Sequence, residues 1–194
     1  MAEGNGSSGK YKVVFVGDAG VGKTSIINAQ FGIADELKPT IGATMATTSI
    51  ETHGSIVNLT VWDTAGHDTY RSLVPIYVRG AQLAVLVFDR TNETSFQHLD
   101  DWLSYIHKET SDVLCLVVAN KSDLVETFSY EKVVEWATEK RLPLHETTVK
   151  NKASVNDLFV WIANTLYENG HIKVETPTLI PRDPSTESEE RICC

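Results

Sequence analysis

Tyr11-Lys12-Val13-Val14-Phe15-Val16-Gly17-Asp18-Ala19-Gly20-Val21-Gly22-Lys23-Thr24 begins as a short apolar, β-branched run and passes directly into a glycine-rich segment. The first half reads as a strand, and a helical pattern follows the second. That second half fits G-x-x-x-x-G-K-[S/T], and the strand before and helix after give the pattern its meaning. Glycines permit a loop whose backbone N–H groups all point at one anion, and the helix N-terminus adds positive partial charge. Lys23 would reach the terminal phosphates of a nucleotide, and Thr24 offers a hydroxyl to Mg²⁺. Asp18, Ala19, Gly20, Val21, Gly22, Lys23, Thr24 and Ser25 are therefore the candidate phosphate-binding set. The plainer alternative, a glycine-rich turn ahead of a helix, is outweighed by the complete motif in context.

Outward from this segment, similar apolar runs recur at Leu83-Ala84-Val85-Leu86-Val87-Phe88 and from Leu114 to Ala119. Continuous runs of this kind suit strands buried on both faces, as in a parallel sheet. Between them lie helical spacings. One is Phe96, Leu99, Trp102-Leu103 and Ile106. Another is Val155, Leu158-Phe159, Ile162 and Leu166, with Ser154 as its expected N-cap and Gly170 as its stop. Alternation of strands and helices predicts an α/β fold with a right-handed, mostly parallel sheet. Thr44 to Glu51 and Ser55 to Trp62 flank His53-Gly54, a turn signal, and predict one antiparallel hairpin. Residues 1–10, rich in Gly, Ser and Asn, read as disordered. Residues 11–170 read as the single folded domain, and the Pro, Ser, Thr and Glu text of 171–194 as a flexible tail.

The chain has 194 residues, enough for one domain without a disulfide or metal staple. Its net charge of −9 argues against a nucleic-acid binder, which needs a basic face. No run approaches the roughly 20 apolar residues of a bilayer crossing, and Met1 to Gly9 lack an apolar signal core. Of three cysteines, Cys115 sits in an apolar run and reads as a buried, inert thiol, while Cys193 and Cys194 end the chain. Their spacing suggests neither a disulfide framework nor a zinc site. The expectation is a cytosolic protein.

Two further segments decide the nucleotide. Trp62-Asp63-Thr64-Ala65-Gly66 resembles the second signature of the Ras superfamily, and Asn120-Lys121-Ser122-Asp123 resembles the guanine-specific N-K-x-D. A carboxylate at Asp123 can accept from both the ring N–H and the exocyclic amine of guanine, which adenine cannot supply. Such a buried acceptor left unpaired discriminates strongly. The three motifs in order cover essentially residues 11–170. Thr40-Ile41-Gly42, Tyr70-Arg71-Ser72-Leu73, Tyr77-Val78-Arg79-Gly80-Ala81 and Val87-Phe88-Asp89 are similar to stretches of the Rab branch, as is the Cys193-Cys194 terminus.

The resemblance to the Rab family implies a phosphate-loop G domain with a mostly parallel six-stranded sheet, one antiparallel hairpin strand and helices on both faces. It implies GTP and GDP as ligands, Mg²⁺ as cofactor and GTP hydrolysis as the activity. By the same resemblance Asn120 ties the loop together, the Lys121 stem packs on the base, and Asp63 acts on Mg²⁺ from behind its direct ligands. Thr40 would ligate Mg²⁺ only with GTP, and the Gly66 N–H would meet the γ-phosphate. Two loops would then be ordered by one phosphate and released when it leaves. Lys23, Thr40, Gly66 and His67 form the catalytic set so implied. The implied partners are an exchange factor, a GTPase-activating protein, effectors, a prenyl-binding escort and a GDP-dissociation inhibitor. The protein would work as a monomer on the cytosolic face of endomembranes in vesicle traffic.

Several positions depart from the family. His67 stands where a glutamine usually orients the attacking water. Imidazole is shorter and, when neutral, holds only one donor and one acceptor, so slow hydrolysis is expected unless His67 faces solvent. Ile41, Met45, Trp62 and Tyr77 would make the apolar effector surface, with flexible Met in place of a ring, or could be hairpin packing. The stretch from Thr24 to Thr40 is about two residues short, leaving Phe31 or Ile33 to cover the guanine edge. Glu146-Thr147-Thr148-Val149-Lys150 stands loosely for the base loop E-T-S-A-K, placing Thr148, Val149 and Lys150 at the base.

In residues 171–194 five acids face three bases, so no polybasic segment assists attachment. One lipid gives only marginal binding, and stable anchoring would need both Cys193 and Cys194 modified; free thiols are the alternative. The rival functional reading is a GTP-locked binding scaffold with vestigial hydrolysis. A nucleotide kinase has no place for Asn120-Lys121-Ser122-Asp123, and a nuclear-transport GTPase has none for the terminal cysteine pair.

Overall fold

The computed structural model describes residues 8–34, 40, 42–66, 73–110 and 112–169. Its strands are β1 (Ser8–Val16), β2 (Ala43–Thr52), β3 (Ser55–Thr64), β4 (Leu83–Asp89), β5 (Leu114–Asn120) and β6 (Leu144–Glu146). Its helices are α1 (Lys23–Phe31), α2 (Val74–Val78), α3 (Glu93–Gln97), α4 (Leu99–Glu109), α5 (Tyr130–Lys140) and α6 (Lys152–Glu168). The sheet has six strands in the order β2-β3-β1-β4-β5-β6. Every pairing is parallel except β2 with β3. This is the α/β architecture expected, with β1 three residues longer at its start than the apolar run at Tyr11 suggests. Ser8, Gly9 and Lys10 continue the ladder opposite Ile56, Val57 and Asn58.

Alternation along β1 explains the two layers. Val13 and Phe15 face one core, completed by Ile26 and Ile27 of α1 and Val155, Phe159 and Ile162 of α6. Val14 and Val16 face the other, completed by Val78 of α2, Trp102 and Ile106 of α4 and Val133 of α5. All seven residues of β4 are buried, so helices on both sides remove its apolar faces from water. Phe15 and Phe159 stack with centroids 6.0 Å apart. Each such fully buried side chain contributes roughly 1.5–3 kcal/mol.

The hairpin turns at His53 and Gly54, with φ of 48° and 70°. Two positive φ values match the right-handed twist of the flanking strands. Two helix termini differ from the sequence expectation. Ser154 lies inside the first turn of α6 rather than capping it. Asn151 is the N-cap, accepting from the Ala153 N–H, while the Ser154 hydroxyl accepts from the Thr148 N–H at 3.2 Å. An Asn side chain reaches the orphan N–H groups equally well, and Ser154 is thereby left to brace the loop before the helix. The Phe96-to-Ile106 pattern is divided at His98 into α3 and α4, with Asn92 capping α3. Gly170, the expected stop of α6, lies outside the described residues. Among the described residues no helix is long and apolar enough to cross a membrane. Cys115 is half-buried, and burial pushes its thiol up to about 11, in keeping with an inert role.

Candidate functional site

The strand ends β1, β3, β4 and β5 and the N-terminus of α1 converge at one edge of the sheet, where ligands of open α/β folds bind. Gly22, at φ 97°, is the N-cap of α1, and no side chain caps the helix. Its first-turn N–H groups, those of Lys23, Thr24 and Ser25 included, are left for an anion. A Cβ on Gly22 would lie 2.3 Å from Asn120 Nδ2, so only glycine lets the loop approach the strand carrying the base motif.

Lys23 is buried, and its Nζ donates to the Gly17 and Asp18 carbonyls at 2.8 and 2.7 Å. Burial pushes the ammonium down to about 8, against the pull of Asp63 and Asp18. An ammonium desolvated this far and answered by two neutral carbonyls suits a polyphosphate. The Asp18 side chain turns the other way, accepting from Trp102 Nε1 at 2.9 Å and meeting His98 Nδ1 at 2.6 Å. It therefore anchors the phosphate loop to α4. The sequence reading missed those two partners, because they lie about eighty positions along the chain and carry no motif.

Across from Lys23, three oxygen-bearing side chains meet. Thr24 Oγ1 donates to Asp63 Oδ2 at 2.6 Å, Thr40 Oγ1 donates to the same oxygen at 3.2 Å, and the two hydroxyls lie 2.8 Å apart. Asp63 is buried, and desolvation raises its carboxyl despite the Thr24 bond, Lys23 and the Thr40 bond. Among the described residues its Oδ1 is buried with no partner. An all-oxygen donor set with an orphaned carboxylate oxygen fits Mg²⁺, which keeps most of its ligands as water and phosphate. It also accounts for the absence, among the described residues, of a cluster of three His, Cys, Asp or Glu. Gly66 packs on the phosphate loop so closely that a Cβ would lie 2.4 Å from the Asp18 carbonyl.

The base motif ends β5. Asn120 Nδ2 donates to the Val21 carbonyl at 2.8 Å, while its Oδ1 is buried without a partner among the described residues. Lys121, at φ 62°, extends to the Gly20 carbonyl at 3.0 Å and to Asp89 Oδ2 at 2.6 Å. Burial alone would raise the Asp89 carboxyl, but Lys121 and Thr91 outweigh it and hold it below its ordinary value. Asp123 Oδ1 accepts from the Thr148 hydroxyl at 2.5 Å, and Lys150 Nζ lies 3.6 Å from Oδ2. The Thr148 bond comes first among the influences that hold the Asp123 carboxyl low. Val149 stands half exposed beside them. Loops 120–123 and 147–150 thus form one unit facing the phosphate loop.

The Ras family model matches residues 12–168. The Ras-related protein RABF2a of Arabidopsis thaliana is 31% identical over 201 aligned positions, covering 100% of both chains. The Ras-related protein RABA1b of Arabidopsis thaliana is 34% identical over 164 residues, 81% of this chain and 75% of its own. This chain belongs to the Ras family, as a Rab-type small GTPase. As a Rab-type GTPase it binds GTP and GDP with Mg²⁺ and hydrolyses GTP.

On the outer face of the Rab-type domain Met45 is exposed and pairs across the hairpin with Trp62. Trp62 lies 6.2 Å from Tyr77, ring to ring, and Lys12 Nζ sits 4.6 Å over its ring. Met45, Trp62 and Tyr77 are thus contiguous. Phe31 packs against the core, and Ile33 is exposed. Ile41, His67, Cys193 and Cys194 lie outside the described residues.

Proposed function

We propose that this chain is a Rab-type GTP/GDP switch that recruits effectors to membranes in vesicle-mediated transport, with a long-lived GTP form. The observation that carries the reading is the meeting of Thr24, Thr40 and Asp63 within 3.2 Å beside Gly66, so that the segment at Thr40 and the end of β3 running into Gly66 both abut the phosphate loop. Any ligand at this point is sensed by both segments at once.

In this reading the N–H groups of residues 18–25 and Lys23 bind the phosphates, while Thr24, Thr40 and Asp63 hold Mg²⁺. Bound there, Mg²⁺ neutralises charge on the β- and γ-phosphate oxygens. The Gly66 N–H faces the terminal phosphate. Asn120, Lys121 and Asp123, with Thr148, Val149 and Lys150, select guanine, and exposed Ile33 rather than packed Phe31 covers its edge. His67 replaces the usual glutamine, so the attacking water is poorly oriented and hydrolysis is slow. Ile41, Met45, Trp62 and Tyr77 present the effector surface. The monomer is served by an exchange factor, an activating protein, a prenyl-binding escort and a GDP-dissociation inhibitor, and prenyl groups on Cys193 and Cys194 attach it to endomembranes.

Single-turnover hydrolysis of GTP by wild type and His67→Gln tests the slow step. The reading expects the glutamine to accelerate turnover by roughly tenfold or more, within the usual worth of one catalytic group. Equal rates would remove His67 as the brake. No turnover in either, even with an activating protein present, would favour a GTP-locked scaffold.

A further inference from the structure

Arg90 follows β4 directly and is drawn into the base-binding edge by four contacts. Its N–H donates to the Asn120 carbonyl at 3.1 Å. Its guanidinium donates through Nη2 to Glu126 Oε2 at 2.8 Å and through Nη1 to Glu146 Oε2 at 2.5 Å. Its plane lies 4.4 Å over the Tyr130 ring. The side chain is only 14% exposed, and Nε is buried without a partner among the described residues.

The two carboxylates stand at strategic points. Glu126 lies three residues beyond Asp123, and Glu146 ends β6 directly before Thr147-Thr148-Val149-Lys150. The loops they belong to already touch through Thr148 and Asp123 and through Ser122 N–H to the Thr147 carbonyl at 3.2 Å. A planar guanidinium with its donors in a rigid fork fixes two carboxylates in one geometry, which a flexible ammonium does not. Stacking on Tyr130 limits the fork to one orientation.

We infer that Arg90 is a positioning residue for guanine recognition, clamping loops 120–123 and 147–150 at the spacing Asp123 needs to meet both the ring N–H and the exocyclic amine. The inference rests on the proposed role of Asp123. Arg90 does not touch the nucleotide, and its effect passes through Glu126, Glu146 and the Asn120 backbone.

The test compares dissociation of GDP and of inosine diphosphate, which lacks the exocyclic amine, from the full-length protein. Wild type is expected to hold GDP the longer. In Arg90→Ala, GDP release is expected to quicken about tenfold, the scale of one lost bond between charged groups, and inosine diphosphate release much less, so the preference narrows. Arg90→Lys, which keeps the charge without the fork, should recover only part of it. Glu126→Gln reads the same coupling should Arg90→Ala fail to fold. Variants that melt earlier yet keep the wild-type preference overturn the inference, because a merely structural role lowers stability without changing base discrimination. Wild type that fails to distinguish the two diphosphates overturns the Asp123 reading itself, and the clamp falls with it.

Discussion

Thr24 Oγ1 donates to Asp63 Oδ2 at 2.6 Å, while Oδ1 of the same carboxylate is buried without a partner among the described residues. One oxygen is committed to α1, the helix that follows the phosphate loop, and in the proposed site the other is left for the shell of a bound cation. Asp63→Asn keeps the shape and replaces one acceptor by a donor. The expected result is Mg²⁺ affinity lower by about 10–100-fold and GDP release no longer accelerated by chelation. Calorimetric Mg²⁺ titration of the GDP complex measures it, and unchanged affinity would exclude Asp63 from the metal's surroundings.

Gly66 gives a steric prediction. Added at this position, a Cβ would stand 2.4 Å from the Asp18 carbonyl carbon and oxygen and 2.5 Å from the Ala19 nitrogen. All three are backbone atoms and cannot rotate aside. Gly66→Ala should fold, but residues 63–66 must withdraw from the phosphate loop. GTP affinity is then expected to fall roughly tenfold relative to GDP, the worth of one bond to a charged phosphate. Competition between the two nucleotides reads the ratio directly, and an unchanged ratio would contradict the packing argument.

What could be read in the sequence follows from where the physics is local. The run Val13 to Val16 and the loop Gly17 to Thr24 announce themselves because strand burial and phosphate binding depend on adjacent residues. The hairpin at His53-Gly54 is legible for the same reason. The motif places the Asp18 backbone in the phosphate set but says nothing of its carboxylate, which faces Trp102 and His98 about eighty positions away. Ser154 precedes the apolar pattern and so reads as the cap of α6. Asn151 takes the cap, since Ser154 is engaged by the Thr148 N–H across the loop. Arg90 carried no motif at all. Its meaning comes from Glu126 and Glu146, which only the folded sheet brings together.

His145 supplies a pH prediction. Burial lowers its folded-state pKa below 6.5, against the opposing pull of Asp157, Ser154 and Glu146, and its ring stacks on Trp161 at 5.0 Å. As pH falls through 6.5, the unfolded chain takes up a proton that the folded protein resists. Stability contributed by this site is therefore complete above about 6.5 and declines below it. His145→Phe keeps the stack and removes the titration. Its melting temperature should fall less between pH 7 and pH 5 than that of wild type, by a few degrees at most. Parallel curves for the two proteins would assign the acid sensitivity elsewhere.

In the proposed switch one phosphate is sensed by two segments at once, through Thr40 on one side and Asp63 to Gly66 on the other. Amide hydrogen exchange in the Mg²⁺-bound protein, loaded with GDP or with a non-hydrolysable GTP analogue, measures this most directly. Slower exchange is expected in both residues 40–46 and residues 63–66 with the GTP analogue, and little change in α5 or α6. Equal exchange in the two nucleotide states, or protection of only one of the segments, would contradict it.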